Sequence, residues 1–338
     1  MPKLPKGFPF DQKNLIYKTE DTNTNQEWGW SPNSRPIREL LNFSVINLDK
    51  PPNMTSHEVS AAISKILNVD KVAHGGTLDP GVSGILPIAL NRATPLARIM
   101  LQSDKEYVIV MRLHKQVDYE KLVKVIKLFE GEIYQRPPIR SAVVRRTRIR
   151  KIYAIEILDV DGRDVLLRVS CQAGTYMRKL CTDIGDILGV GAHMIDLRRI
   201  RSGIFTEDDT LCRMQDLVDA WELYREKDEE KYLRKYVLPA EVAALSLPRI
   251  IVNDGAVGAL TYGAQLYVPG IVAFSNNIKP GDLVAIFTIK GELVALARSI
   301  MSSQEIKDNE KGQVTDDTRI VMPRNLYIKE ILWRKTCK

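Results

Sequence analysis

Asp79 is the carboxylate of this chain best placed for chemistry. It falls in the run His74-Gly75-Gly76-Thr77-Leu78-Asp79-Pro80-Gly81, inside a longer loop, KVAHGGTLDPGVSGILP, with four glycines and two prolines. Alone, Asp-Pro-Gly is only a turn signal. A glycine-rich loop between a helix and a strand costs backbone entropy, however, and so points to backbone that must come close to something. One carboxylate there can act as nucleophile or base if a cation keeps it ionised in a pocket sheltered from water. Arg178 is the candidate cation. It sits in the first turn of a predicted helix, where the helix dipole disfavours positive charge, and it points away from the centre of the apolar stripe. A buried anionic partner explains that position better than a surface role does.

Tyr107 shares a strand face with Ile109, Met111 and Leu113. Most tyrosines so placed are core residues, yet one near the start of a strand can also stack on an extruded base. His74 has two readings as well: a loop histidine with a local hydrogen bond, or a residue that replaces a flipped base.

Two basic clusters bear on partners. Arg136, Arg140, Arg145, Arg146, Arg148, Arg150 and Lys151 lie between Ile133 and Ile155 with no carboxylate among them. Seven uncompensated cations in sixteen residues repel one another unless a polyanion neutralises them, and the planar arginine fork suits phosphate. Arg198, Arg199 and Arg201 form a second cluster in DLRRIRSG. Nucleic acid is the expected ligand. Lys50, which closes FSVINLDK, is counted with the RNA-binding cations.

The elements that hold these residues can be read from periodicity. FSVINLDK is a predicted strand ending at a Pro-Pro-Asn turn. Thr55-Ser56-His57-Glu58 matches a capping box, followed by Val59, Ala62, Ile63, Ile66 and Leu67 at helical spacing. DKEYVIVMRL reads as a strand, Asp118–Glu130 as a helix, and residues 164–172 as a strand with at least one buried face. Gly174-Thr175 opens a helix with Met177, Leu180, Cys181, Ile184 and Leu188 as its stripe and Gly189 as its stop. The arginine-rich stretch 136–151 is expected to be a loop between strands. The mixed charges of 222–236 suit a solvated helix face. From about Leu247 short apolar runs punctuated by glycine suggest a small, mostly β domain, with a hairpin turn at Lys290-Gly291.

The whole composition narrows the class. At roughly 150 residues per domain, 338 residues suggest about two domains. Hydrophobic residues at 44% and charged residues at 27% exclude intrinsic disorder, and a net charge of +7 agrees with an anionic partner. No apolar run approaches the ~18–20 residues of a membrane span, and MPKLPKGFPFDQKN lacks the apolar centre of a secretory signal, so a cytoplasmic, membrane-free protein is expected. Cys171, Cys181, Cys212 and Cys337 form no Cys-x-x-Cys pair, and the four histidines form no His-Glu-x-x-His, so neither a zinc site nor a disulfide framework is expected.

Taken together, HGGTLDPGVSGILP, INLDKPPNMTSHEV, KEYV, AGTYMRKL and LRRIRSG occur in an order that resembles pseudouridine synthases of the TruB/dyskerin type, over about residues 40–215. The tail resembles a PUA domain through its GA-x-L-x-VPGI and GDLVAI segments. The N-terminal arm and compact length look most like the archaeal dyskerin-type layout, the catalytic subunit of an H/ACA guide ribonucleoprotein. Asn53 departs from a common glycine and Ile204 from a common proline. Asparagine tolerates left-handed backbone, so the turn is expected to survive.

The resemblance implies an α+β fold, with a mixed, largely antiparallel central sheet, flanking helices and a small β-barrel-like PUA domain. It implies an N-terminal extension over 1–40 docked on the PUA domain, a catalytic domain over 41–245, a PUA domain over 246–330 and a tail over 331–338. Asp79 would be the catalytic aspartate, Tyr107 the stacking tyrosine and Arg178 the partner of the aspartate. His74, Leu197, Gly76 and Thr77 would line the substrate pocket. Arg140, Arg145, Arg146, Arg148, Arg150, Lys151 and Lys50 would hold RNA. Isomerising uridine to pseudouridine has no net redox change and needs no cofactor or metal, which agrees with the absence of dinucleotide, Walker and zinc patterns. The implied partners are an H/ACA guide RNA, rRNA and tRNA substrates, and small accessory proteins. Competing readings are a stand-alone tRNA pseudouridine synthase, a non-catalytic RNA scaffold, and a retaining glycosidase. The last needs two carboxylates about 5 Å apart, and this loop offers one.

Overall fold

The computed structural model describes residues 14–136, 144 and 146–327. The chain divides into two compact units, residues 46–90 with 96–236, and residues 1–45 with 91–95 and 237–338. Residues 237–245, assigned from sequence to the preceding domain, thus cluster with the tail.

The first unit is built on a sheet in which the strands Phe43–Lys50, Ser83–Asn91, Ala192–Ser202, Lys105–Leu113, Asp164–Cys171, Arg148–Asp161 and Gly131–Gln135 lie side by side in that order. Lys105–Leu113 runs antiparallel to both neighbours, with Tyr107 opposite Val169 on one side and Arg199 on the other. Ser83–Asn91 is the exception. It meets Ala192–Ser202 in parallel, pairing Ser83 with Arg198 and Gly84 with Arg199. The alternation in Lys105–Leu113 does the expected work: Tyr107, Ile109, Met111 and Leu113 are all buried.

Helices cover the sheet with their apolar stripes. Met177, Leu180, Cys181, Ile184 and Leu188 of the helix Met177–Leu188 join the core, and Gly189 ends the helix in a left-handed conformation, φ 76°. The helix opens at Met177 rather than at Gly174, because Gly174 itself is left-handed, φ 78°. The helix expected over Asp118–Glu130 is shorter, Tyr119–Lys127, with Asp118 as its N-cap accepting from the Lys121 amide. The helix Ser56–Leu67 carries the capping box read from sequence: the Thr55 hydroxyl accepts from the Glu58 amide, and the Glu58 carboxylate accepts from the Thr55 amide. The stretch 148–151, expected as loop, is strand, so Arg148, Arg150 and Lys151 stand on a pleated surface paired with Gly131–Gln135.

The second unit has its own six-stranded sheet: Leu15–Tyr17, Ile271–Ser275, Arg249–Val252, Leu283–Thr288, Leu293–Ser299 and Thr315–Ile320. Gly291, at φ 91°, turns the hairpin expected at Lys290-Gly291, with its amide on the Thr288 carbonyl. The fold is α+β, with mixed sheets and flanking helices. Among the described residues no helix is long and apolar enough to cross a membrane.

Candidate active site

The Asp79 loop is held by its backbone oxygens. Arg199 Nη2 donates to the Gly76 carbonyl at 3.0 Å. The Ser56 hydroxyl accepts from the Leu78 amide at 2.9 Å and donates to the Leu78 carbonyl at 3.2 Å. The Asp79 carbonyl accepts from the Val82 amide, closing the Asp79-Pro80-Gly81-Val82 turn with proline in its preferred second position. The Pro80 carbonyl takes both the Asn53 amide at 2.8 Å and Lys50 Nζ at 3.0 Å. Asn53 is left-handed, φ 66°, as expected where a glycine is common. Gly76 is needed as glycine: at φ 135° a side chain is strained. With so many carbonyls fixed, the Asp79 side chain leaves a rigid platform.

Arg178 comes from the first turn of its helix to meet it, Nη2 to Oδ2 at 3.0 Å. Two contacts fix that helix entrance. Buried Gln135 donates to the Tyr176 carbonyl and accepts from the Tyr176 amide, and Arg150 Nε donates to the Gly174 carbonyl at 3.2 Å. The expected shelter from water is absent in the free chain: Arg178 keeps 44% and Asp79 50% of its side-chain surface exposed.

Tyr107, 9% exposed, belongs to one apolar cluster with Leu78, Val82 and Leu197. Burial pushes its phenol up, and the charge of the nearby Arg199 guanidinium pulls it part of the way back. His74 is half-buried, and its Nδ1 has no hydrogen-bond partner among the described residues. Burial, with Arg199 and His57 nearby, lowers its pKa and favours the neutral ring. Thr77 is exposed and Gly76 buried.

Residues 64–177 match the N-terminal domain of the TruB family of pseudouridylate synthases, and residues 178–244 match the C-terminal domain of tRNA pseudouridylate synthase B. The chain belongs to the TruB pseudouridylate synthase family. Two further matches flank these, a DKCLD (NUC011) domain at 8–60 and a PUA domain at 248–321. This TruB-family chain is 52% identical to the probable tRNA pseudouridine synthase B of Pyrococcus furiosus, over 96% of this chain and 95% of that one. It is 50% identical to the protein of the same name from Methanopyrus kandleri, over 96% of each. Its structure is similar to that in a Cbf5-Nop10-Gar1 complex, with TM-score 0.89 and 52% identity over 95% of this chain and 97% of the other. It is also similar to a chain of an H/ACA RNP bound to a substrate RNA containing 2′-deoxyuridine, with TM-score 0.88 and 49% identity over 96% and 98%. The chain is an RNA pseudouridine synthase with a PUA domain.

The cations of this TruB-family chain divide in a way its sequence does not show. Lys50, expected on the RNA surface, is fully buried, and its Nζ donates to the carbonyls of Pro51, Met54 and Pro80 at 2.8, 2.6 and 3.0 Å. It is a clasp under the loop, not a phosphate ligand. The DLRRIRSG arginines are likewise committed internally. Arg198 forks onto Asp49 at 3.0 Å through both nitrogens and also meets Glu207. Arg201 pairs with Glu106 at 3.1 Å, and Arg199 is buried. Arg146 and Lys151 remain exposed, whereas Arg148 and Arg150 are half-buried. Arg140 and Arg145 lie outside the described residues.

Sequence reasoning missed Ser56, Gln135 and Lys105. Lys105 is buried, with Nζ on the carbonyls of Met100 and Leu101 at 2.8 and 3.4 Å, and burial, reinforced by Arg199, pushes it down to about 7. Its position on the apolar face of the strand, two residues before Tyr107, is the signal that could have found it.

Proposed function

We propose that Asp79 is the reacting carboxylate of a guide-directed RNA pseudouridine synthase, acting on rRNA uridines and, without a guide, on tRNA. The observation that carries this reading is the Asp79–Arg178 pair at 3.0 Å, with Leu78, next to Asp79 in the chain, in the same apolar cluster as Tyr107 and Leu197. The isomerisation breaks the C1′–N1 bond, turns the uracil, forms C1′–C5, and exchanges the C5 proton for one on N1. A single ionised carboxylate facing the ribose and base suffices for that sequence. Arg178 keeps the carboxylate charged and aimed. The wet mouth of the free site then has a role: the target nucleotide must leave its helix to enter, and once seated it covers the pair and excludes water. Tyr107 supplies the wall on which the base rests, while His74, neutral and partnerless at Nδ1, stands at the loop base to fill the space the uridine leaves.

Guide RNA, accessory proteins and substrate RNA are inferred from the ribonucleoprotein and the Cbf5-Nop10-Gar1 complex to which the chain is similar. The exposed cations Arg146 and Lys151 and the PUA domain at 248–321 would take RNA backbone. A cytoplasmic setting suits Cys171, Cys181 and Cys212, all buried free thiols.

The test is tritium release from RNA labelled at uridine C5, run with and without a matching guide RNA and accessory proteins. The expected result is guide-dependent release by the wild type and none by Asp79→Ala, with RNA binding kept. Normal turnover by Asp79→Ala would overturn the assignment.

A further inference from the structure

We propose that Gln135 is a positioning residue for the isomerisation: its amide stands in for the missing N-cap of the helix Met177–Leu188 and so aims Arg178 at Asp79. The proposal rests on the reading of the Asp79–Arg178 pair given above.

That helix starts badly by its own sequence. Its N-cap residue, Tyr176, makes no side-chain cap hydrogen bond, and its first turn holds no acidic residue. The turn instead carries Arg178 and Lys179, cations at the end where the helix dipole opposes them. Lys179 turns back along the helix to Asp183, so Arg178 alone leaves the turn toward the carboxylate. An uncapped helix start frays, and fraying here would swing Arg178.

Gln135 supplies the hold from outside. It is the last residue of the strand Gly131–Gln135, opposite Arg148, and it is buried. Tyr176 is extended, φ −98° and ψ 106°, so its N–H and C=O open to one side, as in a strand. The Gln135 amide pairs with both: Oε1 accepts from the Tyr176 amide at 2.9 Å, and Nε2 donates to the Tyr176 carbonyl at 3.1 Å. That carbonyl also accepts from the Leu180 amide at 3.0 Å, the first bond of the helix. A primary amide carries donor and acceptor side by side without charge, whereas a carboxylate only accepts. Filling space does not call for glutamine here, since methionine would do so without a polar group to satisfy.

The chain leading into Tyr176 is fixed as well. The Gln172 amide donates to the Lys151 carbonyl at 2.8 Å, the Thr175 hydroxyl donates to the Gln172 carbonyl at 2.6 Å, and Arg150 Nε holds the Gly174 carbonyl at 3.2 Å. Gln135 therefore anchors the last residue before the helix against a rigid base, two positions from Arg178. With 44% of the Arg178 side chain in solvent, its direction is set from the backbone end. A misplacement of about 1 Å in such a group costs a rate of about 100-fold.

The experiment compares Gln135→Met, Gln135→Glu, Arg178→Ala and the Gln135→Met/Arg178→Ala and Gln135→Glu/Arg178→Ala double variants in single-turnover tritium release with the full complex, with substrate RNA dissociation constants taken alongside. Gln135→Met loses both bonds and should slow the reaction by about 30-fold; Gln135→Glu keeps the acceptor and should slow it by about tenfold. RNA affinity should stay within about twofold of the wild type in both. In the Arg178→Ala background either change should cost less than about threefold, because no guanidinium is left to aim. A glutamine that merely supports the fold would give losses that add to that of Arg178→Ala, or would weaken RNA binding in step with the rate, and either result overturns the proposal. If Gln135→Met does not fold, Gln135→Glu and its double variant decide alone. If Arg178→Ala turns over at the wild-type rate, the reading of the pair fails and the role of Gln135 falls with it, whereas additive losses beside an impaired Arg178→Ala overturn the role of Gln135 alone.

Discussion

Arg178 reaches Asp79 across 3.0 Å although about half of each side chain stays in solvent. A wet ion pair of this sort contributes less than about 1 kcal/mol to folding. Its value lies in aiming the carboxylate. Arg178→Ala should therefore leave the melting temperature within about 3 °C of the wild type while the single-turnover rate falls by about 100-fold or more. Arg178→Lys keeps the charge but loses the planar fork, and should recover only part of the rate. Calorimetry and tritium release on the same samples check both. A melting drop that accounts for the lost activity would speak against an aiming role.

Gly84 and Gly81 make a matched pair of tests. Alanine at Gly84 would have to fit at φ 102° with its Cβ 2.3 Å from the Arg199 carbonyl oxygen, whereas nothing lies within 4 Å of a Cβ at Gly81. Gly84→Ala should lower stability by about 2–4 kcal/mol or prevent folding, and Gly81→Ala should change it by less than about 1 kcal/mol. Urea unfolding of the two variants distinguishes them. Equal stability would mean that the close approach of the two strands is not tight.

Lys105 makes stability depend on pH. Burial brings its folded-state pKa down to about 7, against about 10.5 in the unfolded chain. Between those values the unfolded chain binds more protons, so this group makes the protein more stable as pH rises from about 7 toward 10. Relative to Lys105→Met, the wild type should gain stability across that window and show no added slope below about pH 6. Urea midpoints at pH 6, 8 and 9.5 measure it. Parallel curves for the two proteins would show that Lys105 stays charged when buried.

How much of this was legible depends on the range of the interaction. The strand Lys105–Leu113 and the helix Met177–Leu188 are both apparent from local periodicity, because each buries one face whatever lies opposite. Arg178 stood out as a partner for Asp79 by its place in the first turn of its helix, and the resemblance then implied the pairing, which side-chain spacing alone does not give. What stayed hidden was where charges end. Arg198 and Arg201 look like free cations in DLRRIRSG, but their partners Asp49, Glu207 and Glu106 lie on other segments and meet them only when the sheet forms. Lys50 looks like a surface lysine because its acceptors are backbone carbonyls, which side-chain patterns do not report.

The same division predicts which cations RNA feels. Arg146 and Lys151 are exposed, and no carboxylate pairs with either among the described residues, whereas Arg201 is held by Glu106. Replacing Arg146 and Lys151 together by alanine should reduce the slope of log affinity against log salt by about 2. Arg201→Ala should leave that slope unchanged. Filter binding over a salt series reads it directly, and identical slopes for all three proteins would remove these two residues from the RNA surface.

The most direct measurement is the single-turnover rate of Asp79→Asn on a 5-tritiated RNA, with its dissociation constant taken in parallel. Asparagine keeps the size of the side chain and an oxygen for Arg178 but removes the negative charge. A reacting carboxylate at Asp79 requires a rate lower by at least about 1,000-fold and RNA affinity within about twofold of the wild type. A variant that turns over within about tenfold of the wild type would contradict it.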